Sequence, residues 1–191
     1  MRASVCILPG IFSGNRTTSK FRSLLQKSGY HITNDASKAD IIIAHSAGCL
    51  WVPPLLDHQR LVIINPPYWP GKTIRERGKA RSRSNLRFRQ YGYTLRQWLT
   101  RQLWGIYYML AEYARARHII RQMPFYNLEA VVTTGSVLLV RNKHDDWLTP
   151  ELGELQYRNP RLKIVQLPGD HDDFNYNPQT YVDLLQSEYK E

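Results

Sequence analysis

Cysteine is scarce in this chain: among 191 residues only Cys6 and Cys49 carry thiols. That excludes a disulfide framework and any paired Cys-x-x-Cys metal site, and both thiols read as reduced core side chains. Long apolar runs are missing as well. The longest candidate, Leu103 to Ala111, is closed by Gln102 and Glu112 and falls well short of the roughly 18 consecutive apolar residues of a membrane span. The apolar run Val5 to Leu8 is too short for the hydrophobic region of a signal peptide and lacks a basic leader of the usual kind. The expected location is therefore the cytoplasm, either free or peripheral to a membrane. No glycine-rich phosphate loop follows a strand, and no cluster of His, Cys, Asp or Glu has metal-ligand spacing, so neither a cofactor nor a metal is expected.

Acidic residues are scarce in one place only. The chain carries a net charge of +10 from 26 Lys and Arg against 16 Asp and Glu. Between Gly71 and Met123 there are thirteen Lys or Arg and only Glu76 and Glu112, so all the excess positive charge sits in this segment. Such a block serves as a solvated face or attracts phosphates, anionic lipid headgroups or nucleic acid.

What is present is an alternation of short apolar runs and helical patterns, with 42% hydrophobic residues, enough for the core of one domain. Strands are predicted at Ser4 to Leu8, near Tyr30 to Thr33, and at Ala39 to Ala44, Arg60 to Ile64, Val137 to Val140 and Leu162 to Leu167. Helices are predicted at Thr17 to Ser28, briefly after Ser46, at Glu151 to Tyr157 and at Tyr181 to Tyr189. Strands joined by helical crossovers predict an α/β fold with a mostly parallel sheet of about six strands and helices on both faces. The alternation is suspended over residues 68–125, which read as a basic insertion in a single domain spanning 1–191. Its first part, Gly71 to Tyr93, is polar and rich in Arg, Gly and Ser and reads as a loop or arm. In its second part, Leu95, Trp98, Leu99, Leu103, Ile106, Tyr107, Leu110 and Ala114 recur at helical spacing with arginines mainly off that stripe, which predicts one or two amphipathic helices over Thr94 to Arg121.

The chemistry gathers where strands end. A buried strand runs directly into Ala44-His45-Ser46-Ala47-Gly48, a serine flanked two residues on either side by small residues. A sharp strand-to-helix turn projects such a serine hydroxyl beyond the sheet and needs small neighbours, because backbone and helix approach closely there. The usual pattern is Gly-x-Ser-x-Gly, with Ala44 here in place of the first glycine. After the strand Val137 to Val140 comes an acid-bearing loop with Asp145 and Asp146, and after Leu162 to Leu167 comes Pro168-Gly169-Asp170-His171. Serine, acid and histidine thus appear in that order, each just past the carboxyl end of a strand, where the loops of an open α/β sheet converge. The candidate nucleophile is Ser46 and the candidate base is His171, with His144 as a weaker alternative because it lies beside the acids.

Four segments carry a family resemblance: Leu8 to Gly14 (LPGIFSG), Ala44 to Cys49 (AHSAGC), Asp145 to Pro150 (DDWLTP) and Pro168 to Phe174 (PGDHDDF). On these the chain resembles a compact α/β-hydrolase-fold serine hydrolase, similar to the retinoblastoma-binding-protein-9-like and YdeN-like families, over residues 4–67 and 126–191. The resemblance implies a catalytic triad with Asp146 as the acid, because in such proteins the acid precedes an apolar pair and a proline four positions on, which Trp147, Leu148 and Pro150 match; Asp145 is the runner-up. The family's frequent glycine before the acid is replaced around Asn142. By analogy the backbone amides of Ile11 and Ala47 form the oxyanion hole, and His45 packs or bonds locally. Residues 68–125 occupy the place of a helical cap or lid, in which Trp98 and Trp104 line an acyl pocket or pack the cap on the body, while Arg81, Arg83, Arg87 and Arg89 face solvent or an anionic group.

Two functions are then open. One is hydrolysis of a small-molecule ester or thioester through an acyl-enzyme on Ser46, of the carboxylesterase, thioesterase or lysophospholipase type. The other is a catalytically idle hydrolase-fold binding protein that uses residues 71–123 to recognise an anionic membrane surface, a phosphate-bearing or protein partner, or, less favoured, nucleic acid.

Overall fold

In the computed structural model the described residues are 3–11, 14, 17–67, 76, 89, 92–111, 113–122, 127–132, 136–145 and 159–189. Six strands form one sheet: β1 (Ser4–Leu8), β2 (His31–Thr33), β3 (Ile41–His45), β4 (Arg60–Ile64), β5 (Ser136–Asn142) and β6 (Leu162–Leu167). Their spatial order is β2-β1-β3-β4-β5-β6, and each neighbouring pair is parallel, with Ile43 for example aligned to Ile7 on one side and Val62 on the other. The strand order reverses direction at β1, so the loops leaving β1 and β3 diverge and open a crevice beyond the carboxyl ends of these two strands.

The sheet is covered on both sides because its central strands carry continuous apolar runs, Ile41 to Ala44, Leu61 to Ile64 and Val137 to Val140. Side chains alternate along each strand. Cys6, Ile42, Ala44, Leu61, Ile63, Val137 and Leu139 build one core face with Leu128 of helix α4 (Leu128–Val132). Val5, Ile7, Ile41, Ile43, Val62, Ile64, Leu138 and Val140 build the other, with Phe21 and Leu25 of α1 (Ser19–Lys27) and Tyr181, Val182 and Leu185 of the last helix.

The insertion supplies α2 (Leu95–Ala111) and α3 (Tyr113–Gln122). After β6 come a short α5 (Asp173–Tyr176) and the terminal α6 (Pro178–Tyr189). The helix expected at Glu151 to Tyr157 falls outside the described residues, as does the arm expected from Gly71 to Tyr93 apart from residues 76, 89, 92 and 93. The short helix expected after Ser46 is a 3-10 helix, Ser46–Trp51, which ends before Pro53 and Pro54. The apolar stripe of α2 is not its packed face: Leu95, Leu99, Leu103, Ile106 and Leu110 are all exposed.

Candidate active site

The site begins with the strain at the end of β3. Ser46 adopts φ +52, a left-handed conformation unfavourable for a residue with a Cβ. The turn this creates leaves no space nearby: a Cβ on Gly48 would sit 2.0 Å from the Leu8 carbonyl oxygen, and one on Gly10 would sit 2.9 Å from the Ser46 Cβ. Both glycines are therefore required by close approach of the β1 and β3 loops.

His171 lies in the loop after β6, with its Nε2 2.8 Å from Ser46 Oγ and its Nδ1 3.0 Å from Asp145 Oδ2. All three groups are buried. The resemblance assigns the acid's role to Asp146, which lies outside the described residues; the carboxylate at the imidazole is that of its neighbour Asp145. The physical reason is the length of β5. It runs two residues past Val140 to Asn142, and the Asp145 amide then donates to the Asn142 carbonyl at 3.0 Å, closing a tight turn that turns Asp145 inward. His144, the weaker candidate for the base, is exposed, and its amide donates to the Gly169 carbonyl at 3.0 Å.

The loop carrying His171 is held by His45, expected to pack or bond, and by Asn65 and Asn142, to which the sequence assigns no such role. The His171 main-chain carbonyl accepts from Asn65 Nδ2 at 3.0 Å and lies 3.1 Å from His45 Nε2. Asn65 ends β4 with φ +48, a conformation Asn tolerates better than most side chains, and its Oδ1 accepts from the Asn142 amide at 2.9 Å. His45 also stacks on Phe174, with ring centroids 5.0 Å apart. The Asn142 side chain donates to the Asp170 carbonyl and pairs with the Tyr181 hydroxyl. The imidazole is thus fixed from β3, β4, β5 and α6.

Three buried carboxylates flank His171, and Tyr93 and Arg101 reach them from outside the sheet. The Tyr93 hydroxyl lies 2.7 Å from Asp173 Oδ1 and 3.1 Å from Asp170 Oδ1. Arg101 of α2 forms an ion pair with Asp172. Burial holds the Asp173 carboxyl above its ordinary range against the opposing hydrogen bonds from Tyr93 and Asn177, and burial beside Asp170 and Asp173 pushes the Tyr93 hydroxyl upward too. A raised carboxyl keeps its proton more readily folded than unfolded, so stability falls as pH rises from the ordinary carboxylate range through the raised value. Asp173→Asn, which keeps an oxygen acceptor, should match the wild-type protein in acid and exceed it increasingly toward neutral pH when urea midpoints are compared. A wild-type advantage that grows with pH would contradict this.

The remaining candidate positions divide between the site and its surroundings. Ile11 and Ala47 meet in one apolar cluster with Ile119 of α3. Trp98 and Trp104 are half-buried on α2, and Trp104 packs against Tyr107 and Tyr108. Tyr108 in turn lies against Gly14. Arg89 is exposed, whereas Arg81, Arg83 and Arg87 lie outside the described residues. Among the described residues no cluster of three or more potential metal ligands occurs.

No protein-family model matches the chain, and no curated protein matches it by sequence. Solved structures do. The chain is similar to the enol-lactonase from Burkholderia xenovorans with a TM-score of 0.71 at 12% identity, covering 98% of this chain and 91% of that one. It is similar to an N-formylmaleamic acid deformylase from Pseudomonas putida with a TM-score of 0.66 at 13% identity, covering 96% and 91%. A third, an esterase from Exiguobacterium antarcticum, gives 0.63 at 14% identity over 99% and 92%. With the parallel six-stranded sheet, these place the chain in the α/β-hydrolase fold.

Proposed function

We propose that the protein is a serine hydrolase that cleaves an ester or thioester of a carboxylic acid. The observation that carries this reading is the hydrogen-bonded series from a strained Ser46 through His171 to Asp145. Nucleophile, base and orienting acid are in contact, in the arrangement nucleophilic acyl transfer needs. The names of the structural neighbours, esterase, enol-lactonase and deformylase, support it. The four motif segments favour a place beside the compact retinoblastoma-binding-protein-9-like and YdeN-like hydrolases.

The reaction follows from the geometry. His171 Nε2 accepts the Ser46 proton as Oγ bonds to the acyl carbon, and the imidazolium formed is stabilised by the Asp145 carboxylate at Nδ1. The negative charge that develops on the carbonyl oxygen is met by the Ala47 and Ile11 backbone amides. Collapse breaks the bond to the alcohol or thiol, which leaves with the proton from His171. Water then attacks the acyl-Ser46 ester while His171 takes its proton, and the acid departs as Ser46 regains its hydrogen. Tyr93, Arg101 of α2 and Ile119 of α3 reach the His171 and Ala47 loops, which supports a cap role for the segment that carries them.

A fluorophosphonate incubated with the wild-type protein should leave a phosphonyl adduct on the peptide containing Ser46, read by mass spectrometry. No adduct, or an adduct confined to another residue, would overturn the reading.

A further inference from the structure

The rotation of α2 about its axis is set by its inner face, and the consequence is an apolar outer face. At 100° per residue, Gln97, Arg101, Trp104 and Tyr108 fall on one side of the helix. This is the side that pairs with Asp172 and packs on Gly14. Leu95, Leu99, Leu103, Ile106 and Leu110 fall within about 80° of arc on the opposite side. They are exposed, Leu103 by 68% and Leu110 by 72%. Gln97, Arg101 and two aromatic rings thus face the protein, while the aliphatic row faces outward. A row of five large apolar side chains on one exposed helix face is a docking surface far more often than a solvated one.

Charge selects the occupant. Arg96 flanks the stripe, and α3, which follows directly, exposes Arg117 and Arg121. These belong to the segment that holds thirteen Lys or Arg against two acids. A second copy of the chain would bring the same positive charge against itself, whereas an anionic bilayer offers both a headgroup layer for the arginines and an apolar layer for the leucines. No helix among the described residues is long and apolar enough to cross a membrane, and on a bilayer a helix such as α2 would lie in the plane of the interface.

We propose that the leucine stripe of α2, bordered by Arg96, Arg117 and Arg121, docks the protein on an anionic lipid surface. One helix diameter, about 10 Å, then separates the lipid from the His171 loop. The docking stands independently of the catalytic reading, because it needs neither Ser46 nor turnover.

The test is flotation with vesicles of phosphatidylcholine, with and without phosphatidylglycerol, at low and high salt. The protein should float with the anionic vesicles and not with the neutral ones, and salt should weaken the association. Combining Leu99→Gln, Leu103→Gln and Leu110→Gln should lower the apparent affinity by roughly tenfold or more with an unchanged circular dichroism spectrum, since these side chains are exposed. Arg117→Gln with Arg121→Gln should lower it at low salt and flatten the salt dependence. A polarity-sensitive dye on Leu103→Cys should shift to the blue on anionic vesicles, and the same dye on Lys20→Cys of α1 should not. Absence of flotation, equal flotation of the leucine variant, or an unshifted dye at position 103 would overturn the proposal. So would a leucine variant that changes only self-association in sedimentation equilibrium, or only retention of RNA.

Discussion

Replacing Ser46 by Ala, or His171 by Ala, is expected to lower kcat on a p-nitrophenyl ester by about 10^6-fold, because members of a triad act as a unit and either loss removes the nucleophilic route. The two variants should differ little from each other, and the double variant should be hardly worse than either single one. The ground for this is the 2.8 Å contact between His171 Nε2 and Ser46 Oγ. Without the imidazole the hydroxyl keeps its proton, and without the hydroxyl the imidazole has nothing to activate but water. Residual turnover above the uncatalysed rate should remain, from substrate binding and the oxyanion donors alone. The Ser46→Ala protein should also resist a fluorophosphonate. Burst kinetics give a second check: the wild-type enzyme should release p-nitrophenol in a pre-steady-state burst if deacylation is slower than acylation, and the variants should show none. Loss of activity that simply adds between the two sites would count against a shared mechanism.

The sheet was legible because its signal is local. Ile41 to Ile43, Leu61 to Ile64 and Val137 to Val140 are runs of β-branched or aliphatic residues buried on both faces, and such runs with helical patterns between them have few solutions other than a covered parallel sheet. Ser46 and His171 stand out as candidates for a related reason, since Ser46 directly follows β3 and His171 lies in the loop after β6. The acid was harder. Which of Asp145 and Asp146 meets the imidazole depends on where β5 stops, and that is decided by hydrogen bonds to Asn65 and Gly169 in other loops, which no local pattern contains. The same holds for the anchoring of His171. A clue did exist in Asn65, an amide at the end of a buried apolar strand and just before two prolines, where nothing in the strand itself calls for a polar group.

The orientation of α2 shows the limit of periodicity most clearly. Spacing identifies which residues share a face but is silent on which face turns inward. The rule that the apolar side packs inward assumes that no stronger contact competes. Here one does: the loop after β6 presents buried Asp172 beside His171, and a buried carboxylate without a cationic partner costs far more than exposing a few leucines. Arg101 therefore turns toward Asp172 and the leucine row turns away. Asp172 and Arg101, which look unrelated in the sequence, are two halves of one ion pair between the loop after β6 and α2.

Asp145→Asn is expected to lower kcat by about 10^4-fold with little change in KM, whereas Asp146→Asn should leave turnover near the wild-type value. The single hydrogen at His171 Nδ1 decides the outcome. With Asp145 Oδ2 at 3.0 Å, a carboxylate can only accept, so it holds the proton on Nδ1 and leaves the Nε2 lone pair free for the Ser46 hydroxyl. An asparagine side chain can present its NH2 group instead and donate to Nδ1. The ring then carries its proton on Nε2, points it at Ser46, and can no longer act as the base; it also loses the negative charge that stabilises the imidazolium. The shape of the side chain is kept, so thermal stability should change far less than activity, and that contrast separates a catalytic role from a structural one. Measuring kcat, KM and the melting temperature for both variants decides between the two adjacent acids. A severe loss in Asp146→Asn with a mild one in Asp145→Asn would return the acid's role to Asp146 while leaving Ser46 and His171 in place.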